Sequence, residues 1–209
     1  MNNSSAPRLR KVAEAEFPTQ FGLFRIFGFE GIFPNSGSPR TEEAVVLRMG
    51  DLAGPQPPLV RIHSQCLTGD VFHSLRCDCR AQLEIALKSI AQEGRGLLIY
   101  ENQEGRGIGL LNKLRAYELQ DQGADTVEAN ERLGFDSDLR SYALPGAILQ
   151  YFELKAVRLL SNNPEKVEAV ESAGVQVTER VPCLADVVGT REAYLRTKRD
   201  KMGHLLEGI

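Results

Sequence analysis

The sequence predicts an α/β fold, with α+β as the alternative: a single domain with a mixed β-sheet flanked by helices and a β-rich N-terminal part. Three observations carry this reading. The first sixty residues hold short apolar runs separated by Pro- and Gly-rich breaks, the pattern of strands and turns. From Gln82 the spacing changes, with Leu83, Leu87 and Ile90 at i, i+4 and i+7 on one helical face. Thereafter strand-like and helix-like segments alternate, the order that lays helices over a sheet.

The elements follow in order. Residues 12–29 read as two strands joined through Pro18 to Gly22. Glu30 to Glu43, rich in Gly, Pro and Ser, is expected to be a loop or an insertion. Ala44–Met49 and Leu59–Ile62 are short strand-like runs split by the Pro-rich segment Gly54–Pro58. The helix that begins at Gln82 should end near Gly94, and Gly96–Glu101 reads as a buried strand. Leu110, Leu114 and Tyr117 repeat the helical spacing up to Gly123, and further helices are expected around 126–134 and 143–153. Val157–Ser161 reads as a strand, Pro164 suits the first turn of a helix that stops at Gly174, Val175–Val181 is a last strand, and Arg191–Leu206 a terminal helix.

A chain of 209 residues with 42% apolar and 25% charged residues can bury a sizeable core. Residues 1–10 are expected to be a flexible N-terminus and 11–206 a single folded domain. Met1 to Arg10 lacks the apolar stretch of a secretory signal, and no run of about 18 apolar residues exists, so a cytoplasmic protein without membrane association is expected. The net charge of −3, with scattered basic residues, argues against a nucleic-acid polymer as partner and favours a small anion such as a nucleotide.

Four cysteines in a reducing compartment do not read as a disulfide framework. Cys66, Cys77 and Cys79 cluster, whereas Cys183, flanked by Val181, Pro182 and Leu184, reads as a core thiol. Cys77 and Cys79 flank one residue, so a turning backbone can aim both sulfurs the same way, and Cys66 can complete the face. Three thiolates would leave the fourth corner of a zinc tetrahedron to water, whose pKa there can fall to about 7. Two alternatives stand beside this. His63 or His73 could close a structural site, or the three thiols could be buried without metal.

Gln103 to Gly109 joins a strand to a helix and contains three glycines, which let an anion approach the backbone. The spacing matches neither a dinucleotide fingerprint nor a GxxxxGK[ST] loop, so a plain tight turn is the alternative. Arg106, Asp138 and Arg140 are equally compatible with solvated charges, and Tyr117, on the apolar face of its helix, with core packing.

The segments RIHSQCLTGDVFHSLRCDCRAQLE and YENQEGRGIGLLNKLRAYELQDQGADTVEANERLGF, with SNNPEKVE and KMGHLL, together closely resemble the GTP cyclohydrolase II family in its stand-alone form. The likeness is weak over residues 11–30 and strong over 60–206. It implies zinc-dependent hydrolysis of GTP that opens the imidazole ring and releases C8 as formate and also pyrophosphate. The product would be 2,5-diamino-6-ribosylamino-4(3H)-pyrimidinone 5′-phosphate, in the first step of riboflavin biosynthesis. It further implies one Zn²⁺ per subunit, Mg²⁺ with the triphosphate, and a homodimer. By the same resemblance the zinc thiolates are Cys66, Cys77 and Cys79. Tyr117 assists proton transfer, Asp138 is the proton acceptor, and Arg140 attacks the α-phosphate. Substrate contacts fall at Arg61, Ile62, His63, Ser64, Gln65, Gln82, Glu104, Gly105, Arg106, Thr126, Ser161 and Lys166. An arginine is a poor nucleophile while protonated, so that role requires a base such as Asp138 beside it.

The sequence departs from the family pattern at several points. Gln65 stands where a Glu is usual before the first cysteine, Ser161 where a Thr is common, and Arg80 where a small residue often follows CDC. The segment from Pro182 to Tyr194 lacks an Asn-rich run, and Glu30–Glu43 looks long. None removes a catalytic atom. The alternatives are a paralogue that performs the same step for a secondary metabolite such as a toxoflavin-like azapteridine, an enzyme that stops at the formylated pyrimidine, and a non-catalytic zinc- or nucleotide-binding regulatory module.

Overall fold

A computed structural model describes residues 8–34, 39–136, 138–185 and 191–206. It begins with a long antiparallel hairpin. β1 (Arg8–Thr19) pairs with β2 (Gly22–Phe33) across a two-residue turn, which Thr19 closes by donating its hydroxyl to Gly22 O at 2.9 Å. Arg8 to Arg10 thus belong to a strand and not to the flexible terminus expected of them, while residues 1–7 lie outside the described residues. β2 also runs further than its composition suggests. Phe27, Phe29, Gly31 and Phe33 alternate inward with the period of a half-buried strand. A Cβ on Gly31 would lie 2.8 Å from Leu144 Cδ1, so this glycine serves close packing rather than a turn. β3 starts at Arg40, which corrects the expected loop of residues 30–43 from both sides; only residues 35–38 of that stretch are undescribed.

β3 (Arg40–Met49), β4 (Leu59–Ser64), β5 (Gly96–Glu101), β6 (Ala156–Leu160) and β7 (Gln176–Val181) complete one mixed sheet of seven strands, ordered β1-β2-β3-β5-β4-β6-β7. The pairs from β1 to β5 are antiparallel, and β5, β4, β6 and β7 run parallel. The parallel strands need crossovers. α2 (Cys79–Glu93) links β4 to β5, and α6 (Pro164–Ser172) links β6 to β7. The β5–β6 connection carries α3 (Leu110–Asp121), α4 (Thr126–Arg132) and α5 (Ala143–Tyr151). The short α1 (Leu67–Asp70) follows β4, and α7 (Arg191–Met202) is the last helix.

Helices cover both faces of the parallel half, which is why β4 and β5 read as near-continuous apolar runs. On one face Leu144, Ile148 and Leu149 of α5 and Val170 of α6 pack on Phe27, Val46, Ile62, Ile99 and Leu159. On the other, Ala86 and Ile90 of α2 pack on Phe24, Leu59, Leu98 and Leu160, with Cys183 in the same cluster as expected of a core thiol. Each fully buried Ile or Leu contributes on the order of 2 kcal/mol. No helix among the described residues is long and apolar enough to cross a membrane.

The topology also places the site. Chain order reverses at β4, whose neighbours β5 and β6 are reached by connections running in opposite directions along the sheet. The crevice outside the carboxyl ends of strands at such a point is where open α/β sheets bind ligands. Ser64, Glu101 and Ser161 stand at those three ends.

Candidate active site

Cys66 leaves the end of β4 as the residue preceding α1, while Cys77 and Cys79 bracket the entry to α2. The Sγ atoms of Cys66 and Cys77 are 3.7 Å apart, and all three sulfurs lie within 4.8 Å of one another. Sulfurs at about 2.3 Å from a tetrahedral zinc stand roughly 3.8 Å apart, so the cluster fits that ion. Gly69 forms the floor: a Cβ there would sit 2.8 Å from Cys77 Sγ and 3.1 Å from Cys66 Sγ. Gly69→Ala is therefore expected to weaken metal retention by about tenfold or more with the fold intact, as read by chelator competition alongside circular dichroism. Unchanged retention would mean that the ligands do not converge on that point.

Neither histidine closes the cluster. His63 Nε2 lies 3.1 Å from both oxygens of buried Asp70, its ring stacks on Tyr100, and His73 is exposed. Asp70 is the anchor of the loop. It accepts from the Cys66 N–H at 3.0 Å and from the Tyr100 hydroxyl at 2.8 Å. Glu104 holds the same turn from the far side, accepting from the Leu67 N–H at 2.6 Å and from Lys113 Nζ at 2.7 Å. Lys113 also donates to Cys66 Sγ at 3.1 Å. Hydrogen bonds from Cys77 and Cys79, opposed by burial and aided by Lys113, hold the Cys66 thiol far below its ordinary range. Cys77, as donor to Cys66, is pushed up to about 11.

Tyr117 stands beside this cluster. Its hydroxyl is 3.1 Å from Thr68 Oγ1, which is itself 3.7 Å from Cys66 Sγ. The helix face that carries it is not a core face. On that face Leu110 is half-buried and Leu114 is 44% exposed, and Ala116 alone in α3 is buried. The reading of Tyr117 as core packing is thereby corrected, because its ring lines the cleft under the Arg76 guanidinium at 4.8 Å.

The opposite wall is cationic. Gly105 and Arg106 adopt left-handed backbone in a 3-10 turn (φ +63° and +61°). Among the described residues, Nη1 and Nη2 of Arg106 are buried without a hydrogen-bond partner, a state that invites an anion. The Arg106 carbonyl accepts from the Leu139 N–H at 3.0 Å, which fixes the next segment. There Asp138 accepts from Arg140 Nε at 2.9 Å and from Nη2 at 2.5 Å, a two-pronged pair. Burial would raise the Asp138 carboxyl, but the hydrogen bonds and charge of Arg140 outweigh it and hold it below its usual range.

Lys166 from α6 donates to Ile62 O at 2.9 Å and approaches Ser64 Oγ at 3.4 Å; Ser64 in turn donates to Glu101 at 2.8 Å. Burial, then Arg61 and Arg140, push Lys166 well below its ordinary range, with Glu101 pulling the other way. Arg61 binds Leu160 O at 2.9 Å and Gln82 Oε1 at 2.6 Å. Gln82 then bonds Asp78, and Asp78 pairs with Lys198 of α7 at 2.8 Å.

The three cysteines, Tyr117, Arg140 and the expected contact residues Arg61, His63, Ser64, Gln65, Gln82, Glu104, Gly105, Arg106, Thr126, Ser161 and Lys166 all line one cleft. Asp138 reaches it through Arg140, whereas the Ile62 side chain is in the core and presents only its carbonyl to Lys166. Sequence reasoning missed Asp70, Glu101, Lys113 and Lys198. Only Asp70, four residues past Cys66 and packed in the same turn, carried a local signal.

Sheet, cradle and cleft define the class: an α/β enzyme with a thiolate metal cradle and a cationic pocket for a small anion. The chain belongs to the GTP cyclohydrolase II family, whose model matches residues 10–182. It is 53% identical over 199 residues to the GTP cyclohydrolase-2 of Actinobacillus succinogenes, covering 95% of this chain and 89% of that one. It is also 53% identical to the GTP cyclohydrolase-2 of Yersinia pseudotuberculosis, covering 95% and 98%. A two-domain 3,4-dihydroxy-2-butanone 4-phosphate synthase from A. baumannii resembles 88% of this chain and 42% of its own, with 15% identity and a TM-score of 0.47.

Proposed function

We propose that this chain hydrolyses GTP with release of formate and pyrophosphate, giving 2,5-diamino-6-ribosylamino-4(3H)-pyrimidinone 5′-phosphate, the first step of riboflavin biosynthesis. The observation that carries the reading is the shared cleft: the trithiolate cradle and the Arg106 guanidinium, whose Nη1 and Nη2 have no partner among the described residues, face one pocket. Cys66, Cys77 and Cys79 would hold a zinc ion, which would supply Lewis acidity and lower the pKa of a water there. Around it the chain's own groups position and move protons. Asp70 and Glu104 fix the cysteine turn, Lys113 offsets thiolate charge, and the Tyr117 hydroxyl lies where a proton can pass to or from the opening ring. At the other end Arg106, Arg140 and Lys166 offset the charge of the triphosphate, which carries its own Mg²⁺.

Arg140 and Asp138 act on the α-phosphate. Asp138 grips Nε and Nη2 and so orients the guanidinium; if a nitrogen attacks phosphorus, the carboxylate in contact with it accepts the displaced proton. Exposed Phe72 (71%) and Leu111 (72%), on segments tied by the Arg76–Asp121 ion pair, support a homodimer that covers them. A cytoplasmic location goes with this reading, since a trithiolate site needs its thiols kept reduced. Purified zinc-loaded protein incubated with GTP and Mg²⁺ should yield formate and pyrophosphate in equal amounts, with the pyrimidine product identified by mass. Unchanged GTP would sink the reading, and pyrophosphate without formate would reduce it to phosphoanhydride cleavage.

A further inference from the structure

The segment from Lys201 to Leu206 belongs to the motifs that carry the family resemblance, yet no step above uses it. α7 ends at Met202, and Gly203, with φ +63°, turns the chain back toward the cleft. Backbone bonds pin that turn. The His204 N–H donates to Lys198 O at 3.1 Å, and the Leu205 N–H to Asn162 O at 2.9 Å. Leu206 is buried beyond it.

His204 therefore lines the same cleft as Arg106, Arg140, Lys166 and Lys198. These four cations come from four separate stretches of the chain, and all act on the imidazole. Two of these cations are themselves paired with carboxylates, Arg140 with Asp138 and Lys198 with Asp78. Among the described residues the imidazole has no hydrogen-bond partner of its own. Burial first, then Lys198, Arg140, Lys166 and Arg106, hold its pKa down to about 3, so it is neutral in the free protein. A bound triphosphate would reverse that field, because its negative charge would lie against the same cations.

We propose that His204 is a catalytic residue that contacts the triphosphate of GTP, takes up a proton as the substrate binds, and gives it to the departing pyrophosphate. The inference rests on GTP being the substrate. In the step, a bond forms between the α-phosphorus and its attacking group, whose proton goes to Asp138. The bond from that phosphorus to the oxygen bridging to the β-phosphorus breaks, and its electron pair stays on the oxygen. The imidazolium of His204 protonates the resulting pyrophosphate and returns to the neutral form. Water reprotonates it when the next substrate binds.

The probe is GTP with a methylene group between the α- and β-phosphorus atoms, which binds but cannot release pyrophosphate. Added to zinc-loaded protein with Mg²⁺ in weak buffer near neutral pH, it should cause wild type to take up about one proton per site more than H204Q. With GTP itself, H204Q should lose roughly 10²-fold in kcat for pyrophosphate release, with KM within about threefold. Equal proton uptake in the two proteins, or a kcat within about threefold of wild type, overturns the proposal. Should H204Q fail to fold, the imidazole ¹⁵N shifts of wild type decide alone. A ring neutral when free and charged in the analogue complex supports the role, and one neutral in both overturns it. Wild type that neither binds the analogue nor turns over GTP overturns the substrate reading; turnover without a proton difference overturns only the role of His204.

Discussion

In Cys77→Ser, formate release from GTP falls by about 10³-fold while pyrophosphate release stays within roughly threefold of wild type. Serine keeps the shape and the hydrogen-bonding capacity of cysteine with a slightly smaller atom, so the turn between α1 and α2 should persist. What it removes is one of three sulfurs gathered within 4.8 Å of one another. A hydroxyl is not deprotonated near neutral pH and binds zinc poorly, so the ion is lost or held loosely. Ring opening, which needs an activated water, stops. The Arg140 guanidinium is held by the Asp138 carboxylate and takes nothing from the thiols removed here. Metal content by mass spectrometry, with formate and pyrophosphate measured on the same samples, checks both halves. Equal loss of both products would show that the metal site serves the phosphate chemistry as well, and retention of formate would remove the metal from the ring-opening step.

The candidate site was partly legible in the sequence, and the reason is locality. Three ligand-type residues within fourteen positions are visible as a cluster whatever the fold does. The Gly96–Glu101 strand was found at its true bounds because a buried parallel strand is a continuous apolar run, and here glycines mark its start. Asp78 with Lys198 is the opposite case. The two residues are 120 apart in sequence, and nothing in either neighbourhood announces the pair. Lys113 and Glu101 are likewise ordinary surface-type residues by sequence. Only the order of β5, β4 and β6 brings them under the cleft.

Composition misled where packing overrode it. Gly31 looked like loop chemistry and is instead a strand residue made small by Leu144. The Leu110, Leu114 and Tyr117 spacing is that of a buried stripe, yet α3 turns Tyr117 to the cleft and leaves Leu111 and Leu114 to solvent in the isolated chain. Periodicity records that a face is apolar; it does not say what covers it. Four-residue α1 is too short to show any period at all.

Arg140→Lys is expected to slow pyrophosphate release by about 10²-fold or more while metal content stays at the wild-type level. The argument is geometric. Asp138 accepts from Arg140 through Nε at 2.9 Å and Nη2 at 2.5 Å, and the backbone N–H of Arg140 adds a third bond to the same carboxylate at 3.0 Å. That grip sets the plane of the guanidinium and carries Nη1 to 3.5 Å from Ser64 Oγ, at the end of β4. Lysine keeps the positive charge but offers no planar fork, so it cannot be gripped at two points and still present a third nitrogen. A rate within about threefold of wild type would show that charge alone suffices, and would end the assignment of Arg140 as nucleophile. The two ways in which arginine could act then separate by a second readout. A phosphoramidate adduct on Arg140, trapped by rapid quenching of wild type and located by mass spectrometry, marks attack by the guanidinium. The same rate loss in the variant with no adduct in wild type marks an electrostatic clamp, held in place by the carboxylate that the attack reading would use as its base.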